Sequence, residues 1–321
     1  MTGIIYIRIL ICVGTIRTES VTKTFRKSER PAVDGVSITV TGGQVTGFIG
    51  LNGAGKTTTI RIMAGLLEPD SGSVIVDGLD LRREKSRASE MLGLVPDQSY
   101  FDPWSRAGDL LEYLASFYSL GKWDRRDLSN SLLRRVGLHE ERDKRLGKFS
   151  LGMAKRFAIA ASLVNNPRNV IFDEVLNGLD PAGMKMIREI IVELRKDGCG
   201  ILLSTHALAE LEGIADRMVV IHRGRIVGEL LPGDMYAHGR NNLTVRIENP
   251  GQDTEAILTE YGKVSAVGRN FRIRDATVDA PELNAELIRL GYRVSSISRE
   301  NGSLENAFLR LIEEVEGKTQ N

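Results

Sequence analysis

Eight residues from Gly50 to Thr57, Gly-Leu-Asn-Gly-Ala-Gly-Lys-Thr, have the spacing G-x-x-x-x-G-K-[ST] of a phosphate-binding P-loop. Glycine at those positions lets the backbone curl until several N–H groups converge on phosphate oxygens at the positive end of a helix. Asn52, Gly53, Ala54, Gly55, Lys56, Thr57 and Thr58 would then form the cradle. Lys56 can reach the β- and γ-phosphates, and the Thr57 hydroxyl can coordinate Mg²⁺. The chemistry implied is binding of a nucleoside triphosphate. A chain with 33 glycines can match such a spacing by chance. Its setting argues otherwise, because Val45 to Ile49 reads as a strand and Thr58 to Leu67 as a helix.

A second chemical feature is the apolar run Val170-Ile171-Phe172, which ends in Asp173-Glu174. Such a run tipped by carboxylates suits a buried parallel strand with its site at the carboxyl end. Three further segments flank it. Phe149-Ser150-Leu151-Gly152-Met153 opens a helix over Ala154 to Val164, Asn177-Gly178-Leu179-Asp180 follows the carboxylates, and Ser204-Thr205-His206 ends the next strand.

The elements that must position these residues follow from periodicity and turn signals. Ile16 to Val21, Val36 to Val40 and Ser73 to Val76 read as strands, the last after the turn Pro69-Asp70-Ser71-Gly72. From Ser105 to about Arg145 the pattern turns helical, with Leu110, Leu111, Leu114, Phe117 and Tyr118 at helix spacing. This block lies between two strand-rich halves, so a helical subdomain of about residues 103–160 is inserted in the sheet. Pro181 to Lys196 reads as a helix with Pro at its start, and Gly200 to Ser204 as the next strand. Met218 to His222 and Arg225 to Val227 read as a closing hairpin. Past Pro232-Gly233 the pattern resets to a small β-α-β-β-α-β-α unit over 240–321, with a linker near 231–241.

Composition sets the bounds. The chain has 321 residues, room for roughly two domains. Lys+Arg 43 against Asp+Glu 42 leaves a net charge of +1, which gives no electrostatic case for nucleic acid. Cys12 and Cys199 are too few and too far apart for a disulfide framework or a Cys-based zinc site. The apolar segment Ile4 to Val13 is interrupted by Arg8 and is too short to span a bilayer. Residues 1–14 read as an extension, either an edge strand or the product of an upstream start codon. Any membrane contact is expected to go through a partner.

Taken in order, the P-loop, Ser150 to Met153, Asp173-Glu174, Asn177 to Asp180 and His206 strongly resemble the nucleotide-binding subunit of ATP-binding cassette (ABC) transporters, over roughly residues 15–232. The resemblance implies an α/β P-loop cassette with an inserted helical subdomain, followed here by a small α+β accessory domain. It implies ATP and Mg²⁺ as ligands. Asp173 would anchor the metal with Thr57, Glu174 would be the general base, and His206 would contact the γ-phosphate. Ser150 and Gly152 match the signature loop, which in the family meets the nucleotide of the opposite subunit in a head-to-tail dimer or paired cassette. Asp180 would lie at that interface, and Phe25 resembles the aromatic that stacks on adenine.

Several positions depart from the family's commonest pattern. Leu51 replaces a Pro, Leu151 and Met153 replace the Gly and Gln of the signature, and Val175 replaces the Pro after the base. Val95-Pro96-Asp97-Gln98 puts Asp97 where Gln is commonest, so either Asp97 or Gln98 would serve the metal or water. Ser150 lies 100 residues after Gly50, with no sustained heptads between, unlike chromosome-type members. One P-loop and one signature also differ from the usual two-cassette translation factors. The tail Ser303 to Leu309 and the Phe149 to Met153 variant resemble exporter ATPases paired with ABC-2-type permeases. The expectation is an ATPase at the cytoplasmic face of the membrane, held there by transmembrane permease subunits. The alternative is a soluble ABC-type ATPase acting as a regulator or translation factor without a permease.

Overall fold

The P-loop sits where a five-residue strand, β4 (Val45–Ile49), buried at every position, meets the helix α1 (Lys56–Met63). In the computed structural model, which describes residues 14–319 except 27, 119–120, 233–241, 249, 252, 268–269, 275 and 300–303, this junction lies at the centre of a six-stranded sheet. The expected edge strand within residues 1–13 lies outside the described residues. The chain forms two compact units, Met1–Glu229 and Leu230–Asn321.

In the first unit the strands that follow α1 are β5 (Ser71–Val76), β6 (Leu79–Asp80), β7 (Leu92–Val95), β8 (Asn169–Asp173), β9 (Gly200–Thr205), β10 (Arg217–His222) and β11 (Arg225–Leu230). The six-stranded sheet runs β11-β10-β4-β9-β8-β7, and its pairings from β10 through β7 are parallel. Parallel strands covered on both faces become continuous apolar runs. β4, β8 and β9 are accordingly buried along their whole length. Between β7 and β8 the chain makes α3 (Ala107–Ala115), α4 (Lys122–Arg135) and α5 (Leu151–Ser162), the inserted helical block. α6 (Pro181–Lys196) then returns the chain to β9. Its buried Ile187, Ile190, Ile191 and Leu194 form the one apolar stripe expected of a helix packed on a sheet.

A second, antiparallel sheet has the order β2-β1-β5-β6, built on β1 (Thr15–Lys23) and β2 (Val33–Val36), with β3 (Thr39–Thr41) also pairing with β1. The single strand expected over Val36 to Val40 is therefore two. The chain breaks at Ser37-Ile38, and Thr18 satisfies the break by donating to Val36 O and accepting from Ile38 N. The short helix α2 (Lys85–Ser89) leads into β7.

The second unit carries a four-stranded antiparallel sheet of order β13-β14-β12-β15. Its strands are β12 (Leu243–Ile247), β13 (Lys263–Val267), β14 (Asn270–Arg274) and β15 (Val294–Arg299). The helices α7 (Thr254–Thr259), α8 (Ala280–Arg289) and α9 (Leu304–Thr319) complete the order expected from the sequence. Val245, Ile247, Leu258, Ile273, Leu283 and Leu287 form its core. Asp279 and Glu282 close a capping box at the start of α8.

Candidate nucleotide-binding and hydrolysis site

The P-loop takes its shape from two glycines. Gly53 and Gly55 have φ of 78° and 109°, where an L side chain is strained, and a Cβ on Gly55 would lie 2.5 Å from Ala32 O. Gly55 is also the N-cap of α1 and gives it no side-chain cap bond. The amides of the first turn therefore have no side-chain acceptor, which is the arrangement that receives phosphate. The cavity above them has a volume of about 380 Å³. Asn52, Gly53, Gly55, Lys56, Thr57, Thr58, Asp97, Glu174 and His206 all line it, as do Ala32 and Leu51.

The opposite wall is built by strand register. β8 and β9 are parallel with Asp173 beside Ser204, so the residues just past their ends emerge together. Asp173 is buried, and Ser204 Oγ donates to its Oδ1 at 2.5 Å. Burial raises the Asp173 pKa, and the Glu174 and Asp97 carboxylates raise it further, while the Ser204 hydrogen bond and Lys56 oppose them. Glu174 turns out of the strand with φ 52°, a left-handed conformation that costs roughly 1–3 kcal/mol for a residue with a side chain. Its N–H is held by Ser204, to the carbonyl and to Oγ, each at 3.2 Å.

The Glu174 carboxylate gathers two hydrogen-bonding partners and one ion-pair partner. His206 Nδ1 lies 2.7 Å from Oε2, Asn177 Nδ2 donates to the same oxygen, and Lys56 Nζ is 3.7 Å from Oε1. A carboxylate only accepts, so the proton of the histidine pair is assigned to Nδ1, and Nε2 is left for a ligand or water. Lys56 Nζ also donates to Gly50 O at 2.7 Å. One basic side chain thus touches both the phosphate loop and the acid facing it.

Asp97 and Gln98 separate clearly. Asp97 lines the cavity, whereas Gln98 Oε1 accepts from the Tyr100 hydroxyl at 2.8 Å. Phe25 is 45% exposed and is outside the cavity lining. Ala54 is buried and accepts Gly224 N–H through its carbonyl. Ser150 caps α5 by accepting Met153 N–H at 3.3 Å, and neither it nor Gly152 lines this cavity. Asp180 caps α6 by accepting Gly183 N–H at 3.1 Å.

Sequence reasoning passed over Ser204, Asn177 and Lys155. The first two were named only as members of motifs. Lys155 is buried, and its ammonium donates to Glu174 O at 2.9 Å and Asn177 O at 2.7 Å. A signal for it existed, because Lys155 shares the helix face of Ala158, Ile159 and Ser162, all buried.

This geometry can bind a triphosphate and present a carboxylate–histidine pair to its terminal phosphate. The family model described as "ABC transporter" matches residues 33–177. The chain is 34% identical over 281 residues to the uncharacterized ABC transporter ATP-binding protein YdbJ of Bacillus subtilis (strain 168), covering 86% of this chain and 88% of that one. The chain belongs to the ABC transporter ATP-binding proteins. Another relative is the bacitracin transport ATP-binding protein BcrA of Bacillus licheniformis, 32% identical over 311 residues, with 92% and 97% covered. A solved ATP-binding subunit of an ABC transporter superposes with a TM-score of 0.64 at 28% identity, over 69% of this chain and 92% of that one. This ABC protein is an ATPase that energises a transporter. Among its described residues no helix is long and apolar enough to cross a membrane.

Proposed function

We propose that this ABC ATPase hydrolyses ATP with Glu174 as general base and His206 as its orienting partner. The observation that carries the reading is the 2.7 Å contact between the two, on the wall of the cavity that Lys56 also lines. Glu174 would take a proton from water as the water oxygen bonds to the γ-phosphorus. The bond from that phosphorus to the β–γ bridging oxygen breaks, and ADP leaves with the electron pair. Lys56 would neutralise charge on the β- and γ-phosphates.

Mg²⁺ fits the donor set. Thr57 offers a hydroxyl, Asp173 a carboxylate whose charge is disfavoured by burial and by Glu174 and Asp97, and Asp97 a further carboxylate on the cavity wall. Among the described residues no cluster of three His, Cys, Asp or Glu is arranged to hold a metal alone. That suits Mg²⁺, which is usually held by one or two carboxylates together with substrate phosphates. When bound, the ion neutralises charge on the β- and γ-oxygens.

Phe25, exposed on the loop after β1, is proposed to stack on adenine. Ser150 and Gly152 lie off the cavity lining, which supports their contacting the nucleotide of a second cassette placed head to tail. Closing over two ATP molecules would drive a separate membrane permease, because ATP binds the closed pair better than the open one. The bacitracin-transport relative and the C-terminal sequence favour export through an ABC-2-type permease, with this chain peripheral at the cytoplasmic face. The unit from Leu230 is proposed to be accessory to the cassette.

Purification of the tagged chain from solubilised host membranes, with mass spectrometry of its partners, tests this reading. A stoichiometric polytopic protein supports it. A chain recovered only from soluble or ribosomal fractions would overturn the permease assignment and leave the ATPase chemistry standing.

A further inference from the structure

We infer that Lys155 is a positioning residue for hydrolysis, a strut from the helix that follows Ser150 to the turn that carries Glu174. The inference rests on the reading of Glu174 as the base. Lys155 donates to Glu174 O at 2.9 Å and to Asn177 O at 2.7 Å. Those two carbonyls bracket a single turn, since Asn177 N–H also donates to Glu174 O at 3.2 Å. The Asn177 side chain in turn bonds the Glu174 carboxylate. One ammonium therefore fixes both the backbone of the acid and the residue that steers its side chain.

The turn needs holding. Glu174 has φ 52°, and a strained backbone persists only where its surroundings over-determine it. A cation is a costly way to fill a buried position, and an apolar side chain of similar volume would serve packing as well. Burial lowers the Lys155 pKa, opposed by the carboxylates of Asp97, Glu174 and Glu210. The ammonium thus lies in the field of the hydrolysis site while its hydrogen bonds end on neutral carbonyls.

α5 also packs beside the two residues that follow this turn. The Leu151 side chain lies 3.0 Å from where a Cβ on Gly178 would stand, and Leu179 lies 3.5 Å from where one on Gly152 would stand. A displacement of the start of α5 therefore reaches Glu174 through the Lys155 side chain and its neighbours Gly178 and Leu179 through packing. Ser150 begins the helix and Lys155 ends the linkage.

Steady-state ATPase measurements on the full chain test the strut. Lys155→Met keeps the volume and removes the donor. It is expected to lower kcat about tenfold or more with KM for ATP unchanged within about twofold, since substrate contacts remain. Lys155→Arg should recover most of the rate, and Lys155→Gln, with a shorter donor, should fall between. Introduced into Glu174→Gln, Lys155→Met should leave the residual rate nearly unchanged, because residues acting as a unit are not additive. Lys155→Met turning over at the parent rate would overturn the inference. So would an equal fold-loss in the parent and Glu174→Gln backgrounds, which marks a merely structural residue. Glu174→Gln at the parent rate would instead remove the general-base reading itself. If Lys155→Met does not fold, Lys155→Arg and Lys155→Gln carry the test, and equal rates for those two sink the strut.

Discussion

His206 Nδ1 and Glu174 Oε2 lie 2.7 Å apart although 32 residues separate them in sequence. Parallel pairing of Asp173 with Ser204 brings the two together, since Glu174 and His206 are each the first residue past the end of their strand. Glu174→Gln keeps the shape of this pair and removes the proton acceptor. Turnover should fall about 10²–10⁴-fold, the range of a lost general base. ATP binding should persist, and an ATP-dependent dimer should accumulate on size exclusion. Phosphate release at the parent rate contradicts the assignment.

His206 is half exposed, and its side chain contributes little packing. His206→Ala should leave the melting temperature nearly unchanged, as surface substitutions do. With the acid less well oriented, kcat should drop about 10–10²-fold. A large loss of thermal stability with unchanged kcat would assign the histidine to the fold instead.

Asp173 illustrates function held against stability. Its folded pKa is raised above the unfolded value of 3.8, chiefly by burial, so the ionised side chain opposes folding at neutral pH. That penalty is present above the raised folded pKa and is absent below the unfolded one. Asp173→Asn retains an acceptor for Ser204 and removes the charge. The variant should melt higher than the parent at neutral pH without nucleotide, and the advantage should vanish in acid. Mg²⁺-dependent turnover should be lost. An unchanged or lower melting temperature at neutral pH contradicts the burial argument.

Phe25 at 45% exposure has little fold to support. Phe25→Ala should weaken ATP binding about fivefold, the equivalent of one stacking contact of ~1 kcal/mol. Equilibrium titration with a fluorescent nucleotide reads this. A melting temperature several degrees lower, with affinity intact, would assign Phe25 to packing instead.

Cys199 is buried 5% exposed, and burial pushes its thiol up to about 12. The nucleophile is the thiolate. In a Cys12→Ser background the folded protein should therefore resist alkylation at pH 8 and react within minutes once denatured. Rapid labelling of the folded chain would contradict the burial.

The second unit was legible for a local reason. Leu243 to Ile247 alternates buried and part-buried or exposed residues, a period-2 signal written in adjacent positions. The helix from Pro181 to Lys196 was equally plain, since its capping Asp180 and first-turn Pro181 act within a few residues. The strand expected across Val36 to Val40 failed because its break at Ser37-Ile38 is satisfied by Thr18, a residue on another strand.

The same division holds at the site. By itself the sequence determined the phosphate loop, because Gly53, Gly55 and Lys56 act through backbone conformation and reach that are local to eight residues. It also determined the carboxylate-tipped strand and the histidine after the next one. Only the tertiary structure put Asp97 rather than Gln98 on the cavity wall, turned Asp173 inward against Ser204, and set Lys155 beneath Glu174. Those outcomes depend on strand register and on which face of a helix is buried, and both are fixed by contacts between residues far apart in the chain.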